Sequence, residues 1–441
     1  MRGGFHSSES LFPILSEMLR IIQSADKAAL VRLERARQTS LADAERVATK
    51  ILGDVRQQGD RALIRYAREL DGVDVCKTGF EVSRKEVEAA YREIPRGFVA
   101  ALGAAARNIR ASAHRQLPRA WRVSNGAGVR VGQILRPLER VACYVPGGRF
   151  PLPSTVLMSV IPAQVAGVKE IVITSPRPAP AVLVAADVLG VQRVFRLGGA
   201  QAVAAFAFGT ESVPRADKIV GPGNRFVAAA KKLVAGECGI DFVAGPSELV
   251  VVGSRGNARW IAADLVAQAE HDPDAVAIFV TSSRALALRV QRATKEMVAD
   301  LGLPVAEKAL ARQGAIILTR NLDEAMQIVN RLAPEHLMLL ADAARLLGRV
   351  ESAGSIFLGG CSPVAAGDYA SGTNHILPTG GAARLRGGLS AADFVKVISV
   401  QQLNRGGLSR LRQAIVTLAN TEGLKAHAYS VDTRFEPTTE N

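Results

Sequence analysis

The stretch Arg140-Val-Ala-Cys-Tyr-Val-Pro-Gly-Gly148 marks the point where the sequence pattern changes and decides the fold class. A short apolar run that ends in a glycine turn is typical of a buried strand leading into a helix. Similar runs alternate with helical patterns downstream, which predicts βαβ units and parallel sheets. The predicted strands are Arg140–Tyr144, Glu170–Thr174, Arg193–Leu197, Lys218–Val220, Glu248–Val252, Ala275–Thr281, Ala315–Leu318 and Ser355–Leu358.

The sequence on either side of this central region is helical in pattern. Apolar residues recur every three or four positions from about Leu11 to Leu117 and again from Ala391 to about Asn420. We therefore predict an α/β protein with two Rossmann-like parallel-sheet domains, a helical N-terminal region and a C-terminal tail. The predicted units are a helical arm at 1–40, one α/β domain formed by 41–143 plus 247–389, a second at 144–246, and the tail at 390–441.

Composition fits a globular protein with aliphatic cores. Hydrophobic residues make up 48% of the 441 residues and charged residues 22%, whereas aromatic residues make up only 5%. Because so few aromatic side chains are present, the cores must be filled mainly by Ala, Val, Leu and Ile. This favours α/β layers over an aromatic-rich β-sandwich.

The net charge of +14 is spread along the chain. A nucleic-acid partner would need that charge concentrated beside aromatic residues or in a known reader motif, and neither is found. The positive surface could still attract an anionic cofactor. The most apolar stretch, Val156 to Thr174, is interrupted by prolyl, amide and charged residues, so we expect no membrane partner.

The four cysteines are widely separated and form no C-x-x-C pair. The N-terminus also lacks the basic and apolar segments of a secretory signal. These features favour free thiols and a cytoplasmic location. Cys143 lies in the apolar run before the first glycine turn, and we interpret it as a buried strand residue rather than a nucleophile.

Three glycine turns follow predicted strands. Glycine lets the backbone approach a ligand, and the next helix would point its N-terminal N–H groups at an anion such as a pyrophosphate. The alternative is a set of tight turns with no ligand, and the G-x-G-x-x-G fingerprint is absent. Three such turns together favour a nucleotide site at the carboxyl ends of the strands. They are Tyr144-Val-Pro-Gly-Gly148, Leu197-Gly-Gly-Ala-Gln201 and Gly221-Pro-Gly-Asn224.

Four of the six histidines lie in clusters with acids or amides, at His271, His336, His375 and His427. Gln268 and His271 are three apart in a helical pattern, so both could bind one ion. Asp368 follows a glycine in a predicted loop, and His427 lies in a helical turn with Glu422. A site of Gln, His, Asp and His suits zinc, and manganese or cobalt are alternatives. Taken alone, the His271 motif is better interpreted as a surface histidine at a helix end.

Glu335 and His336 are adjacent at the start of an apolar run. At a loop-to-strand junction both could reach one pocket, where a carboxylate activates water and an imidazole takes an alcohol proton. The alternative is a linker that carries surface charge.

Taken in order, these motifs resemble the histidinol dehydrogenase family over residues 40 to 435. The matching segments are Tyr144-Val-Pro-Gly-Gly, Pro153-Ser-Thr-Val-Leu-Met, Gly198-Gly-Ala-Gln-Ala, Gly221-Pro-Gly-Asn, Ala244-Gly-Pro-Ser-Glu248, Gln268-Ala-Glu-His271, Pro334-Glu-His336, Asp368-Tyr-Ala-Ser-Gly-Thr-Asn-His375, Leu377-Pro-Thr-Gly-Gly and Glu422-Gly-Leu-Lys-Ala-His427.

The resemblance implies a zinc-dependent oxidation of L-histidinol to L-histidine through an aldehyde, with two NAD, in the last steps of histidine biosynthesis. Residues 41–143 plus 247–389 would form the catalytic domain and 144–246 the NAD-binding domain. The zinc ligands would be Gln268, His271, Asp368 and His427. These four and His336 would contact the substrate, together with Ser247, His375 and Glu422. Tyr144, Gln201 and Asn224 would contact NAD.

The resemblance also implies catalytic roles and an assembly. His336 would take the alcohol proton, and Glu335 would activate the water that attacks the aldehyde. Members of the family are homodimers that exchange the C-terminal segment, so 390–441 would be a dimerisation tail whose His427 and Glu422 complete the partner's site.

One departure from the family pattern is Arg149-Phe-Pro-Leu-Pro-Ser154, where the family has small residues before Tyr-Pro-Ser. It leaves open a homologous zinc- and NAD-dependent dehydrogenase of another small polar alcohol. A sulfonated or phosphorylated substrate would demand extra cationic side chains, for which Arg149 and Arg386 are the candidates. A basic protein that binds nucleic acid and holds structural zinc is a third hypothesis, and it leaves the Glu335-His336 pair unexplained.

Overall fold

A computed structural model describes residues 18–37, 41–148, 150–340 and 343–437. The strands are β1 Arg20–Gln23, β2 Trp121–Ser124, β3 Val129–Pro137, β4 Arg140–Tyr144, β5 Glu170–Thr174, β6 Arg193–Phe195, β7 Lys218–Val220, β8 Gly239–Ile240, β9 Glu248–Val252, β10 Val276–Thr281, β11 Ala315–Leu318, β12 His336–Leu339, β13 Ser355–Leu358 and β14 Val395–Leu403.

The α-helices are α1 Lys27–Ala36, α2 Ala42–Gln58, α3 Asp60–Tyr66, α4 Val75–Thr78, α5 Arg84–Ala90, α6 Phe98–Gln116, α7 Pro153–Ala166, α8 Pro180–Val188, α9 Gly199–Phe208, α10 Arg225–Val234, α11 Ala258–Ala269, α12 Arg284–Leu301, α13 Pro304–Gln313, α14 Leu322–Leu332, α15 Ala343–Leu347, α16 Val364–Tyr369, α17 Arg405–Thr421 and α18 Lys425–Asp432. Short π or 3-10 turns cover Ala67–Asp71, Ala382–Arg384, Ala391–Phe394 and Thr433–Phe435. None of these helices is long and apolar enough to cross a membrane.

The larger sheet has the order β1-β11-β10-β9-β12-β13, and all its strand pairs are parallel. Successive residues of β9 point to opposite faces: Leu249 and Val251 join one hydrophobic core, Val250 and Val252 the other. A strand buried on both faces needs an unbroken apolar run, which is why β9, β10 and β11 were predicted from the sequence.

The smaller sheet is also parallel, with the order β6-β5-β4-β7-β8. The chain adds β5 and β6 on one side of β4 and β7 and β8 on the other. The reversal between β4 and β7 is therefore a topological switch point, where open α/β sheets bind ligands at the carboxyl ends of the strands. The predicted α/β class with parallel sheets is confirmed.

The first helices pack on the smaller sheet, which differs from the predicted grouping of 41–143 with 247–389. The apolar faces of α2 and α3 join one core of this sheet, and α6 joins the other. β4 also belongs to this sheet, although the predicted boundary placed its first four residues elsewhere. An amphipathic stripe shows that a helix buries one face but does not specify the sheet that it covers.

Two segments predicted to be helical contain strands. Arg20–Gln23 pairs with β11 at the edge of the larger sheet, so the predicted arm contributes to that sheet. Val395–Leu403 pairs along its whole length with β3 in an antiparallel sheet of order β14-β3-β2, a sheet the sequence did not predict. The bonds from neighbouring strands override local spacing in both cases.

Candidate active site

A cavity of about 160 Å³ lies between the two parallel sheets. The amino ends of strands in the larger sheet border it on one side, and the carboxyl ends of strands in the smaller sheet border it on the other. The larger sheet contributes residues at the amino ends of β9 and β12, whereas the smaller sheet contributes the segments that follow β4 and β7. The cavity is lined by Leu152, Ser154, Thr155, Pro222, Ser247, Gln268, His271, Glu335, His336, Asp368, Tyr369 and His375.

Seven predicted site residues meet at this cavity, namely Ser247, Gln268, His271, Glu335, His336, Asp368 and His375. Their sequence positions span 128 residues, and the fold brings them to one wall because β9 and β12 are neighbours. Glu422 and His427 do not line the cavity. Both are exposed on the C-terminal tail.

The candidate ligands come from the ends of two helices. Gln268 is buried in the last turn of α11, and His271 is exposed two residues beyond its end. The prediction that Asp368 lies on a loop was wrong, because it lies in α16. Pro363 immediately precedes α16 and fixes a φ of −62°, which allows this short helix to start directly after the turn that follows β13.

Glu335 and His336 are each only 4% exposed, and the main chain of Glu248 holds both. The N–H of Glu248 donates to Oε2 of Glu335 at 2.7 Å. The Nδ1 atom of His336 lies 3.0 Å from the carbonyl oxygen of Glu248 and 3.5 Å from Oε2 of Glu335. If Nδ1 donates to the carbonyl, Nε2 is left as the basic nitrogen.

The free nitrogen of His336 points towards a carboxylate. Nε2 lies 3.4 Å from Oδ1 of Asp368, yet it has no hydrogen-bond partner among the residues described. Burial lowers the pKa of His336, but the carboxylates of Glu335 and Asp368 outweigh it and raise that pKa to about 10. Burial alone would raise the pKa of Asp368. The hydrogen bond and the charge of His336 outweigh burial, so the pKa of Asp368 is lowered.

His375 links the two halves of the cavity. Its Nδ1 lies 2.9 Å from the carbonyl oxygen of Asp368, and its Nε2 lies 3.2 Å from Oγ1 of Thr155 in α7. Burial lowers the pKa of His375, which favours the neutral imidazole. The sequence interpretation assigned no role to Thr155, although its Pro-Ser-Thr segment was among the matching motifs.

Gln268, His271 and Asp368 present an amide, an imidazole and a carboxylate to one cavity. These are suitable donors for a divalent metal. Within the described ranges, however, no group of three or more His, Cys, Asp or Glu side chains is arranged to hold a metal ion.

The family model described as histidinol dehydrogenase matches residues 34–435. The chain belongs to the histidinol dehydrogenase family. Histidinol dehydrogenase of Syntrophotalea carbinolica is 46% identical over 429 residues, which cover 95% of this chain and 100% of the relative. The enzyme of the same name from Methanothermobacter thermautotrophicus is 48% identical over 389 residues, or 86% of this chain and 91% of the relative.

The fold agrees with a solved member of the histidinol dehydrogenase family. The crystal structure of histidinol dehydrogenase from Elizabethkingia anophelis superposes with a TM-score of 0.90 at 34% identity. The match covers 95% of this chain and 98% of that chain.

The predicted NAD residues of this histidinol dehydrogenase family member lie at the carboxyl edge of the smaller sheet. Tyr144 ends β4, and its hydroxyl accepts the N–H of Gly199 at 3.1 Å. Asp71, which the sequence interpretation missed, accepts the N–H of Gly198 at 3.1 Å and Nε2 of Gln201 at 3.0 Å. Asp71 therefore lies beside the start of α9, although no side chain caps the helix itself.

Gln201 retains an unused acceptor. Its Oε1 is buried without a partner among the described residues, as is the hydroxyl of Ser175 at the end of β5. Burying a polar atom without a hydrogen-bond partner lowers stability. Each of these two atoms therefore marks a position where a donor group of a ligand would fit.

The third turn is held from two sides. Asp241 accepts the N–H of Gly221 at 2.7 Å, and Lys231, which forms an ion pair with Asp241, donates to the carbonyl oxygen of Gly221 at 2.8 Å. Asn224 caps α10, because its side-chain oxygen accepts two backbone N–H groups. Only the amide nitrogen of Asn224 is left to donate to a ligand.

Arg386 and Cys143 lie outside the cavity lining. Arg386 donates to the carbonyl oxygen of Asp241 and forms an ion pair with Asp393, so it serves local structure. Arg149 falls outside the described residues. Cys143 is fully buried in β4, as predicted, and burial raises its pKa to about 12.

Proposed function

We propose that this chain catalyses the zinc-dependent, four-electron oxidation of L-histidinol to L-histidine through the aldehyde, with two NAD, in the cytoplasm. The observation that carries the proposal is the buried Glu335–His336 pair on the same cavity wall as Gln268, His271 and Asp368. An acid–base pair beside a set of metal donors suits two successive oxidations at one carbon.

Gln268, His271, Asp368 and the partner's His427 would hold the zinc. Nitrogen and oxygen donors suit this metal. His427 is exposed on the C-terminal tail of its own chain, which leaves it available to a second copy. When bound, zinc would fix the substrate and polarise its oxygen, without any redox role.

His336 is the base for the alcohol. With its proton on Nδ1 shared with the carbonyl of Glu248, its Nε2 can take the hydroxyl proton of the substrate. The raised pKa of His336 depends on the negative charges of Glu335 and Asp368. Asp368 engaged with a cation would raise that pKa less, which favours the neutral imidazole that a base requires.

Glu335 serves the second oxidation. Its Oε2 accepts the N–H of Glu248, and this contact fixes the carboxylate at the cavity wall. There it can take a proton from the water that attacks the aldehyde carbon. Ser247, His375 and the partner's Glu422 would line the substrate pocket. The carboxylates of the partner's Glu422 and of Glu335 favour a cationic substrate with an imidazole ring.

NAD would bind at the carboxyl edge of the smaller sheet and accept the hydride. Tyr144, Gln201 and Asn224 are the proposed contacts, supported by the unpartnered Oε1 of Gln201 and by the switch point between β4 and β7. Burial raises the pKa of Tyr144 to about 12, so its hydroxyl stays neutral beside the cofactor.

The active unit would be a homodimer in which each tail completes the partner's site. Helices α17 and α18 pack mainly on each other, and apolar side chains remain exposed along them: Leu411, Leu418, Leu424 and Tyr429. Exposed apolar surface of this kind supports an interface with a second copy. Glu422 and His427 lie within one such exposed segment.

The decisive experiment counts NADH per histidine formed from L-histidinol by zinc-loaded protein. A ratio of about two supports the proposal, because each oxidation reduces one NAD. No turnover of histidinol, with turnover of another small polar alcohol, would assign the chain to a different substrate.

A further inference from the structure

A buried ion pair lies directly behind the acid–base residues. Arg37, the residue after α1, donates from Nε to Oε1 of Glu248 at 3.1 Å and from Nη2 to Oε2 at 2.6 Å. The two side chains are only 5% and 1% exposed. The N–H of Gly380 adds a third bond to Oε1 of Glu248, at 3.2 Å.

Glu248 connects this ion pair to the catalytic residues through its main chain. Its N–H binds the carboxylate of Glu335, and its carbonyl oxygen faces Nδ1 of His336. The side chain of Glu248 fixes the start of β9, and the peptide groups there set the position of one catalytic residue and the tautomer of the other. A hydrogen bond from one ring nitrogen to a carbonyl oxygen commonly fixes the orientation of a histidine whose other nitrogen faces a ligand.

We propose that Arg37 is a positioning residue, which clamps Glu248 so that its main chain holds Glu335 and His336 in register. This inference rests on the proposed function for what the two residues do, but the clamp itself rests on the contacts above. Arg37 precedes residue 41, so the predicted N-terminal arm would help to position the active-site residues through Glu248.

The chemistry of the pair explains why arginine is used. A planar guanidinium makes two parallel bonds to a carboxylate and thereby fixes its orientation, whereas a lysine makes a single point contact. Burial raises the pKa of Glu248, and the charge of Arg37 opposes that effect. A pair that only stabilised the fold could be replaced by apolar side chains of similar volume without loss of rate.

The test compares Arg37→Met, Arg37→Lys and the double variant Arg37→Met/Glu248→Met with wild type. Arg140→Met is the matched control, because Arg140 pairs with Glu170 at the opposite, amino edge of the smaller sheet. Each zinc-loaded protein is measured for thermal unfolding, for kcat and KM with L-histidinol, and for the tautomer of His336 by ¹⁵N NMR of histidine-labelled protein, assigned with His336→Asn.

A misplacement of about 1 Å can cost about a hundredfold in rate, so we expect Arg37→Met to lower kcat by roughly 10- to 100-fold with little change in KM. Arg37→Lys should recover part of the rate. The double variant should regain the wild-type melting temperature but not kcat, and its His336 should no longer hold the proton on Nδ1 alone. Arg140→Met should change neither kcat nor the tautomer.

The inference is overturned if the folded double variant has wild-type kcat and an unchanged His336 tautomer. If wild type fails to oxidise L-histidinol, the proposed function fails instead. The tautomer comparison needs no turnover and still decides the inference in that case.

Discussion

Nδ1 of His336 lies 3.0 Å from the carbonyl oxygen of Glu248, and each residue begins its strand of the larger sheet. This contact reserves Nδ1 for the protein and leaves Nε2 for the cavity. The amino ends of β9 and β12, rather than their carboxyl ends, therefore carry the proposed acid–base pair.

The division of labour between the two residues is testable by separating the half-reactions. We expect His336→Asn to slow alcohol oxidation by about 10²- to 10⁴-fold, because a general base is lost. Glu335→Gln should release about one NADH per site and then stall before the water attack. Rapid-mixing measurements of NADH follow both. Supplying the aldehyde should rescue His336→Asn and not Glu335→Gln, and rescue of both would refute the assignment.

The proposed sharing of active sites between two subunits predicts complementation between inactive variants. His427→Ala should lose zinc, whereas His336→Ala should keep zinc and lose rate. Mixed one to one and reassembled, the two variants should regain roughly a quarter of wild-type activity, because half of the dimers carry one intact site. Metal analysis and activity after mixing check this. Two variants that stay inactive together, in verified heterodimers, would show that each chain builds its own site.

The turn at Gly221 should tolerate no side chain. Its φ is +114°, and a Cβ would lie 2.1 Å from the carbonyl oxygen of Tyr144. We expect Gly221→Ala to lower the free energy of unfolding by about 3 kcal/mol, from the sum of backbone strain and the clash.

The matched control for this turn is Gly190→Ala. Gly190 also has a positive φ, of +73°, but no atom lies within 4 Å of its Cβ position. Backbone strain alone should cost about 1 kcal/mol there. Denaturant unfolding of both variants separates the two contributions, and equal losses would show that the contact with Tyr144 has no energetic consequence.

Asp264 should make stability depend on pH in a defined window. Burial in α11 raises its pKa from 3.8 to about 6, although the N–H of Val364 opposes this. Below about pH 4 the carboxyl is protonated in both folded and unfolded chains, so it contributes no penalty. Between pH 4 and 6 only the unfolded chain ionises, so the native state loses stability as pH rises.

Asp264→Asn removes this effect while keeping an oxygen for Val364. We expect the melting temperature of the variant, relative to wild type, to rise from pH 4 to pH 7 and then level off. Scanning calorimetry in the presence of a chelator keeps metal binding out of the comparison. A difference that does not change with pH would contradict the raised pKa.

Much of the central fold was readable in the sequence, because β5 and β9 are apolar runs bounded by turn signals. The antiparallel sheet was not readable. β14 is exposed along most of its length, so its side chains carry no core pattern, and its bonds to β3 depend on residues more than 250 positions away. β1 is a four-residue edge strand whose partner, β11, is equally remote.

The candidate site divides in the same way. The residue types at Gln268, His271, Glu335, His336, Asp368 and His375 predicted chemistry, and the structure confirms that they line one cavity. No local pattern pointed to Asp71 at the start of α9 or to Arg37 behind Glu248, because an isolated acid or arginine looks the same whether it is buried against a partner or solvated.

The sequence by itself determined which side chains are available for metal binding and proton transfer, and which runs must be buried strands. Only the tertiary structure decided where they meet, since the parallel pairing of β9 with β12 brings Glu248 beside His336 across 88 positions. It also placed Glu422 and His427 outside the cavity of their own chain. A side chain's chemistry is local, whereas its neighbours are set by how the sheets pair and pack.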